Sequence, residues 1–539
     1  METNNPPTPP QLPPDAEPQP PQRESRGYLA VVWTLLIVLV AITAWLQWTG
    51  GRAQPDPAAA AGEVAVPPPA VDTLISGRLA VGWHHLGSRG DGPLSAAAEA
   101  VSDATADTSD TPDDDAAAEQ PSEDETTAEA DQAPEGTAAR DEQPQAEGRT
   151  VQPDPAGQML RDLRAAVTQA ETFDLPTQVL WLRVITIEGE IAGAGIALDS
   201  IAAFRERVES PAPPLEQDLA TLETIYRGED GEAAQSDARQ ALVEHHGWFG
   251  KLALAYGRPP SSGLRESVIG AATRTVWTIV GVSVFLILLL VVGLLAAIGM
   301  AIALGVDWTS SRYVRPQATT GPLLETVAVF ILLFLVVSFA AAAGQAMLGL
   351  PLGWLVVVAT PLALFWPLLR GVGWSRLRQA MGWHRGGGAI KEVFLGLVGY
   401  VAGVPLVAAG LAVTLLLGWA LGGDATHPAM QQAGAGGFWD MVLLYVLVAV
   451  WAPLVEESIF RGAFYHHLRR GWGSVASATL VGLFFAVIHP QGYLAVPVLA
   501  SLGVVLALIR EWRGTTIGAM TAHAVHNAGA VTILVMLVG

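Results

Sequence analysis

Residues 438–465 read FWDMVLLYVLVAVWAPLVEESIFRGAFY, an apolar run of membrane-span length that carries Glu456, Glu457 and Arg461. About 20 apolar residues suffice for a helix to cross the hydrocarbon core of a bilayer. A charged side chain at the bilayer centre costs at least a few kcal/mol, so ionisable residues at that depth indicate function. Two later apolar segments add His489 and the pair His523 and Asn527. We therefore expect the chemistry of this chain to lie in these segments.

Composition divides the chain into two regimes. The 539 residues have a mean hydropathy of +0.36, although long stretches are rich in Pro, Asp and Glu. Several apolar runs of about 20 residues or more predict an all-α, polytopic integral membrane protein and exclude a soluble enzyme. Because the chain has no cysteine, any metal must be held by His, Glu, Asp or Asn.

The formal net charge of -21 comes largely from one acidic segment. No Lys or Arg occurs between Arg89 and Arg140, while Asp and Glu recur throughout that interval. An acidic tract with few aromatic residues cannot bury enough apolar surface to offset its chain entropy, so we predict that it is disordered. This charge also argues against nucleic acid as a partner.

Five regions are predicted along the chain. The first apolar run is longer than the core of a signal peptide and lacks a clear cleavage site, which predicts a retained signal-anchor with a cytoplasmic N-terminus. Helical periodicity after residue 157 predicts a small extramembrane domain. The regions are 1–26, Pro-rich and disordered; 27–49, the signal-anchor helix; 50–156, a mostly disordered acidic linker; 157–260, the small helical domain; and 272–539, the polytopic membrane core.

Eight further spans are predicted in the core. Basic residues cluster in three loops, at 370–391, 469–470 and 510–513, and the positive-inside rule places these loops in the cytoplasm. Three arginines before the second span do not fit, but long translocated segments are largely exempt from the rule. The predicted spans are 272–304, 322–347, 350–369, 392–421, 438–465, 474–490, 493–510 and 515–538.

Ionisable residues of the core concentrate in its last four spans. Glu457 and Arg461 are four residues apart, where a helix allows a salt bridge on one face, and Glu456 points about 100° away. At 1.5 Å per residue, Glu456, His489 and His523 lie about 21, 22 and 15 Å along their helices from cytoplasmic markers, so they can meet near mid-membrane. Pro453 lacks a backbone donor and is expected to kink the helix, which opens room for water.

These residues form three motifs: Glu456-Glu457-x-x-x-Arg461, Phe485-x-x-x-His489 and His523-x-x-x-Asn527. Their order resembles that of the CPBP family of intramembrane proteases, which unites CAAX prenyl endopeptidases with bacteriocin-processing proteins and is also called the Abi family. The resemblance covers about residues 390–539, or else the whole predicted eight-helix core at 272–539, and it does not cover residues 1–271. It implies that Glu456 is the general base that activates a water for attack on a peptide bond.

The same resemblance implies that His489, His523 and Asn527 surround the reacting centre, while Glu457 and Arg461 orient it. A divalent metal, for example zinc, is favoured slightly, with Glu456, His489, His523 and Asn527 as ligands. The familiar His-Glu-x-x-His zinc motif is absent from these segments. A metal-free mechanism, with His and Asn stabilising the oxyanion, fits the same residues.

Other histidines and Phe485 receive less specific interpretations. His526 is predicted to pack between helices or support the site, and Phe485 is predicted to pack. His466 and His467, beside two arginines at the cytoplasmic interface, are predicted to be solvated. His245 and His246 are neighbours on a helix and point apart, so we predict that they are surface residues.

The resulting hypothesis is a multi-pass CPBP-like intramembrane endopeptidase, or metalloendopeptidase, in the inner or plasma membrane of a bacterium. Its expected partners are the lipid bilayer and a membrane-associated protein or peptide substrate. The alternative is a catalytically inactive scaffold or bacteriocin-immunity protein of the same fold. A transporter is disfavoured because no inverted repeat is evident and the polar residues crowd into one half of the core.

Overall fold

The computed structural model describes residues 25–50, 66, 70–89, 154–170, 172–229, 236–317, 320–421, 437–489 and 491–538. Within these ranges the chain forms helices and no strand, which confirms the predicted all-α fold. Residues 1–24 of the predicted Pro-rich segment and most of the predicted acidic linker lie outside the described residues. The chain divides into two compact units: unit 1 contains Met1–Glu63 and Thr278–Gly539, and unit 2 contains Val64–Trp277.

The helices are numbered here in chain order. A short 3₁₀ turn, Tyr493–Ala495, precedes the last helix but one. The bounds are α1 Arg26–Gly50, α2 Val71–Arg89, α3 Pro155–Thr168, α4 Leu175–Ala192, α5 Ala194–Arg207, α6 Pro213–Arg227, α7 Ser236–His246, α8 Trp248–Ala255, α9 Gly263–Gly305, α10 Gly321–Leu348, α11 Trp354–Leu369, α12 Trp374–Met381, α13 Ala389–Leu421, α14 Phe438–Leu468, α15 Ser474–Val487, α16 Val496–Arg513 and α17 Ile517–Val538.

Seven helices in the described residues are long and apolar enough to cross a membrane, namely α1, α9, α10, α13, α14, α16 with its preceding turn, and α17. The shorter apolar helices α11 and α15 occupy the other two predicted spans. Helix α11 is interrupted by a 3₁₀ stretch, Thr360–Phe365, that begins with a proline near its first position. A multi-pass integral membrane protein is therefore confirmed. The described residues contain seven helices of spanning length, whereas nine spans were predicted.

Helix α9 is longer than predicted. It begins at Gly263 rather than at 272 and runs for 43 residues, about 65 Å, whereas the hydrocarbon core is about 30 Å thick. Its beginning belongs to unit 2 and its remainder to unit 1. Phe285, Ile287 and Leu295 are largely exposed, as expected for apolar side chains that contact lipid.

The core of unit 1 forms around the second half of α14. Ile459, Phe460 and Phe464 are buried and pack with residues of α1, α10, α12 and α15. Phe485 of α15 lies edge-on to Phe460, with ring centroids 5.4 Å apart. The predicted site helix is therefore surrounded by other helices on its buried face, which limits how its polar side chains can move.

Glycines bring the helices that carry the motifs close to their neighbours. A Cβ on Gly503 of α16 would lie 2.6 Å from the Cα of Gly482 of α15. A Cβ on Gly396 of α13 would lie 2.5 Å from the backbone oxygen of Gly518 of α17. Small residues permit such backbone contacts between membrane helices. These contacts fix the helices that precede His489 and carry His523.

Unit 2 is helical and larger than the predicted 157–260 domain. Its core includes Trp181 and Leu182 of α4, Phe204 of α5 and Leu219 of α6. Helix α2, which falls inside the predicted 50–156 linker, packs against α3 and α4 in this unit. Helices α3 and α4 each begin with an Asp that accepts a backbone hydrogen bond and with a proline in the first turn, as helix starts favour.

The prediction that His245 and His246 are surface residues is wrong for His246, whereas the His245 side chain is 28% exposed. His246 is only 1% exposed. Both rings contact the same oxygen of buried Asp218 on α6: Nδ1 of His245 lies 2.7 Å and Nε2 of His246 lies 3.1 Å from Oδ2. Burial lowers the pKa of His246. The two rings do point differently, but helix α6 supplies one acceptor within reach of both. We call these three residues the Asp218 cluster.

Candidate active site

Helix α14 departs from regular α-helical geometry on both sides of the two glutamates. The π-helical stretches Leu447–Trp451 and Ser458–Phe464 flank the α-helical turn Ala452–Glu457. Pro453 lies in that turn and has no N–H to donate. π-helical turns are rare and occur frequently at functional sites. The backbone disturbance expected from Pro453 thus takes the form of π-helical turns on either side of it.

Glu457 is the centre of a buried polar network. Its Oε1 accepts hydrogen bonds from Nη1 of Arg461 and from Nδ1 of His523, each at 2.8 Å. Arg461 also donates from Nη2 to the backbone oxygen of Gly503 on α16, at 2.9 Å. Glu457 and Arg461 are both fully buried. The predicted i, i+4 ion pair is present, and it joins α14 to α16 and to His523 of α17.

Glu456 faces two histidines from other parts of the chain. Its Oε2 lies 3.7 Å from Nε2 of His489, just after α15, and 3.9 Å from Nε2 of His523. The Glu456 side chain is 20% exposed, but Oε2 itself is buried and has no hydrogen-bond partner among the described residues. Residues distant in sequence therefore meet at one carboxylate oxygen, as the mid-membrane depths predicted.

Each of these histidines is held by its other ring nitrogen. Nδ1 of His489 lies 2.5 Å from the backbone oxygen of Phe485, and Nδ1 of His523 contacts the Glu457 carboxylate. Because a carbonyl and a carboxylate only accept hydrogen bonds, we assign the proton of each neutral ring to Nδ1. Each Nε2 then presents a lone pair toward Glu456. Three acceptors converge there, so the arrangement favours a shared proton, a water or a cation between them.

The predicted metal ligands fit a metal ion only in part. Tetrahedral ligands about 2.1 Å from zinc lie about 3.4 Å apart, whereas the separations around Glu456 are 3.7 and 3.9 Å. Among the residues that the structure describes, no group of three or more His, Cys, Asp or Glu side chains has an arrangement that could hold a metal ion. The four residues therefore do not form a ready metal site, and metal binding stays a prediction.

Asn527 has a different partner from the one implied by the family resemblance. It lies one turn after His523 on α17, as predicted, but its Nδ2 donates to the backbone oxygen of Val448 at 2.9 Å. Val448 belongs to the first π-helical stretch of α14. The Asn527 amide thus ties α17 to the irregular part of the site helix, while the structure shows no hydrogen bond from it to Glu456.

The remaining predictions have mixed outcomes. His526 shares a hydrogen bond with the Tyr400 hydroxyl at 3.1 Å, so its predicted packing role is confirmed. Phe485 is buried and its ring centroid lies 4.1 Å from that of His489, so it packs as predicted. The prediction of solvated histidines at 466 and 467 is wrong, because both are partly buried and their Nδ1 atoms contact Tyr313 and Thr320.

Arg510 is a buried cation next to the site, although the sequence predicts for it only a contribution to the charge of a cytoplasmic loop. Arg510 of α16 is 1% exposed, and its Nε donates at 3.3 Å to the backbone oxygen of Arg461. Its Nη2 donates to the backbone oxygen of Ala380 at 3.2 Å. The only sequence signal for this role is a cation at the end of an apolar helix, which the positive-inside rule explains equally well.

Comparison with known proteins identifies the region that carries this site. Residues 438–529 match a family model described as Rce1-like, type II CAAX prenyl endopeptidase Rce1-like. Neither a curated protein nor a solved structure matches the chain. The matched segment runs from α14 into α17 and contains all three motifs. Residues 438–529 are thus similar to the Rce1-like type II CAAX prenyl endopeptidase family, which confirms the resemblance to CPBP proteases that the three motifs predicted.

Proposed function

We propose that this protein is an intramembrane endopeptidase that hydrolyses a peptide bond of a membrane-associated protein or peptide with a water activated by Glu456. The observation that carries this proposal is the orphaned Oε2 of Glu456, which faces His489 and His523 at 3.7 and 3.9 Å. Glu457 is fully buried and already bonded to Arg461 and His523. Oε2 of Glu457 also lacks a hydrogen-bond partner, but the Glu457 side chain is fully buried and ion-paired, whereas the Glu456 side chain is 20% exposed. Glu456 is therefore the glutamate of the pair that we assign as the base.

The reaction begins with a water beside Glu456. A water that forms hydrogen bonds of about 2.8 Å to Oε2 and to an imidazole Nε2 spans the separations observed here. Glu456 accepts a proton from this water while the water oxygen forms a bond to the carbonyl carbon of the substrate. The tetrahedral intermediate then collapses, the carbon–nitrogen bond breaks, and the proton held by Glu456 passes to the leaving amine.

We assign separate roles to the two histidines. His489 is fixed through Nδ1 to the backbone of its own segment, so its Nε2 serves to orient the water. His523 is bonded through Nδ1 to the Glu457 carboxylate, which stabilises the protonated ring. When the neutral ring has taken up a second proton from solvent before the reaction, His523 donates Nε2–H to the developing oxyanion. Asn527 is engaged with Val448, so we assign it a positioning role.

The location of the site limits its substrates. Glu456 lies within a helix that is apolar and long enough to span a membrane, so the scissile bond belongs to a segment near or within the bilayer. A prenylated CAAX tail requires a prenylating host, and the cysteine-free, Pro- and Ala-rich composition resembles that of a high-GC bacterium. We therefore propose a membrane-associated bacterial protein or peptide as substrate and the bacterial inner membrane as location.

The decisive experiment compares cells that express the parent chain with cells that express Glu456→Gln, which keeps the side-chain size. Quantitative proteomics of isolated membranes identifies the fragments that the parent alone produces, and one such substrate is then cleaved by purified protein. Loss of a general base predicts cleavage at least about 100-fold slower, with an unchanged thermal unfolding midpoint.

Glu266→Gln is the matched control, because it removes an exposed carboxylate of α9 far along the chain from the motifs. It should cleave as the parent does. Equal cleavage by Glu456→Gln and the parent would refute the assignment of the base. Identical membrane proteomes in all three strains would instead support the inactive scaffold.

A further inference from the structure

A cavity of about 910 Å³ lies within unit 1. Its walls come from the beginnings of α1 and α10, the segment 312–317, the turn after α11, helix α12 and the end of α16. None of the residues that line it is Glu456, His489, His523 or Asn527. The cavity is thus distinct from the candidate active site.

The lining of this cavity is strongly cationic. The described residues that line it include six arginines and no Asp or Glu: Arg312, Arg315, Arg370, Arg376, Arg510 and Arg513. Glu325 neutralises Arg370 and Glu392 neutralises Arg513 from outside the lining. Arg312 and Arg376 form no ion pair with any described residue. We call this cavity the arginine pocket.

Arg510 is the most deeply buried of these cations. Its guanidinium carbon lies 5.0 Å from the centroid of the Tyr313 ring. Two of its three nitrogens donate to backbone oxygens, but Nη1 is buried and has no hydrogen-bond partner among the described residues. A buried charged donor without an acceptor is unfavourable. An anion that enters the pocket can supply the missing acceptor.

Position and wall chemistry indicate the kind of anion. The pocket lies where apolar helices end: Arg370 directly follows α11, Arg513 ends α16, and Tyr28 lies in the first turn of α1. Leu323 and Val372 add apolar wall between the cations. Ends of spanning helices lie at the depth of lipid headgroups, and basic pockets between membrane helices bind anionic headgroups.

We propose that the arginine pocket binds the phosphate of an anionic phospholipid, with Arg312 and Arg376 as its exposed contacts and Arg510 as its buried one. Guanidinium groups match phosphate oxygens in a bidentate geometry, and the apolar wall accommodates the start of the acyl chains. A free phosphate ion shares the phosphate chemistry but gains nothing from Leu323 and Val372. This binding is independent of the proposed proteolysis.

Native mass spectrometry of the full-length protein, released from detergent, tests the proposal. The probes are phosphatidylglycerol, phosphatidylcholine and inorganic phosphate, each titrated separately. The double variant Arg312→Gln/Arg376→Gln should bind phosphatidylglycerol about tenfold more weakly or worse. The matched control is Arg378→Gln/Arg385→Gln, which removes the same charge from exposed residues outside the lining, and it should bind as the parent does.

The outcomes separate the alternatives. Equal losses in the two double variants would overturn the proposal, because they indicate general attraction to surface charge. Equal binding of phosphatidylcholine and phosphatidylglycerol would also overturn it, because it shows no preference for an anionic lipid. Binding of inorganic phosphate without phosphatidylglycerol would overturn the lipid as the source of phosphate. Glu456→Gln should bind phosphatidylglycerol normally, so failure of the proposed proteolysis leaves this test intact.

Discussion

Each unit of the molecule places one carboxylate oxygen against two histidines, but at different separations. In unit 2, Oδ2 of Asp218 lies 2.7 and 3.1 Å from the ring nitrogens of His245 and His246, which are direct hydrogen bonds. In unit 1, Oε2 of Glu456 lies 3.7 and 3.9 Å from the nearest imidazole nitrogens and accepts no hydrogen bond from a described residue. The Asp218 side chain is fully buried, whereas the Glu456 side chain is 20% exposed.

The difference arises from what else holds the histidines. In the Asp218 cluster the carboxylate itself holds both rings. Around Glu456, His489 is held by the backbone of Phe485 and His523 by Glu457, so neither ring needs Glu456. A carboxylate that is not required to position its neighbours keeps a lone pair for chemistry. The comparison teaches that the supporting contacts, rather than the carboxylate–histidine set alone, distinguish a reactive arrangement from a structural one.

The largest effect is expected where a supporting contact is removed. Glu457→Gln leaves Arg461 buried and charged without its partner, because both side chains are fully buried. Breaking one side of such a pair costs about 3–5 kcal/mol, and His523 also loses its charged acceptor. Thermal unfolding of the full-length protein in detergent should show a clearly lowered midpoint, and cleavage should fall with it.

A double variant separates the charge effect from simple loss of packing. Glu457→Gln combined with Arg461→Met removes both charges from the buried site, which is less costly than leaving one unpaired. The double variant should therefore unfold at a higher temperature than Glu457→Gln alone. If the losses of stability caused by the two substitutions instead add in the double variant, the ion pair does not support the site in the way described.

A smaller and local effect is expected in the Asp218 cluster. Asp218→Asn weakens the acceptor shared by His245 and His246, at a cost of about 1–3 kcal/mol for a buried group that loses a partner. Hydrogen exchange measured by mass spectrometry on the full-length protein should become faster in α6 and α7. Asp199→Asn, at an exposed position of α5, is the control. If Asp218→Asn cleaves substrate more slowly than the parent, the Asp218 cluster is not purely structural and does not differ from the Glu456 site in the way described.

The sequence predicted the fold class and the residues that meet at Glu456, because both leave strong signals. Apolar runs of spanning length are typical of membrane helices, and buried ions such as Glu457 and Arg461 are too costly to occur there without partners. Regular spacing also predicted the i, i+4 ion pair. The orientation of a side chain within such a set is not encoded in spacing, so the sequence did not predict the partner of Asn527.

Residues whose environment depends on distant segments were predicted poorly. His246 looks like a surface histidine until Asp218, 28 residues away, is placed beside it. Arg510 resembles a loop cation until the turn of α16 places its guanidinium beneath Tyr313. Helix α2 lies inside the predicted 50–156 linker, yet it packs against α3 and α4 and buries Leu74, Ala80 and Val81. In each case tertiary contacts outweigh the local pattern.

The smallest predicted effect is a dependence of unit 2 on pH. Burial lowers the pKa of His246, with Asp218 acting in the opposite direction and Arg183 and His245 in the same one. The unfolded chain therefore binds a proton near pH 6.5 that the folded chain does not bind, so stability is retained above that pH and lost below it. One such group contributes at most about 1.4 kcal/mol per pH unit.

The rate of hydrogen exchange in α7, corrected for its intrinsic pH dependence, should increase between pH 7 and pH 5. His246→Asn should flatten this dependence of the rate on pH. If the exchange rate of α7 still depends on pH in His246→Asn, another group of unit 2 is responsible. If the pH dependence disappears in Glu456→Gln, the two carboxylate–histidine sets are not independent.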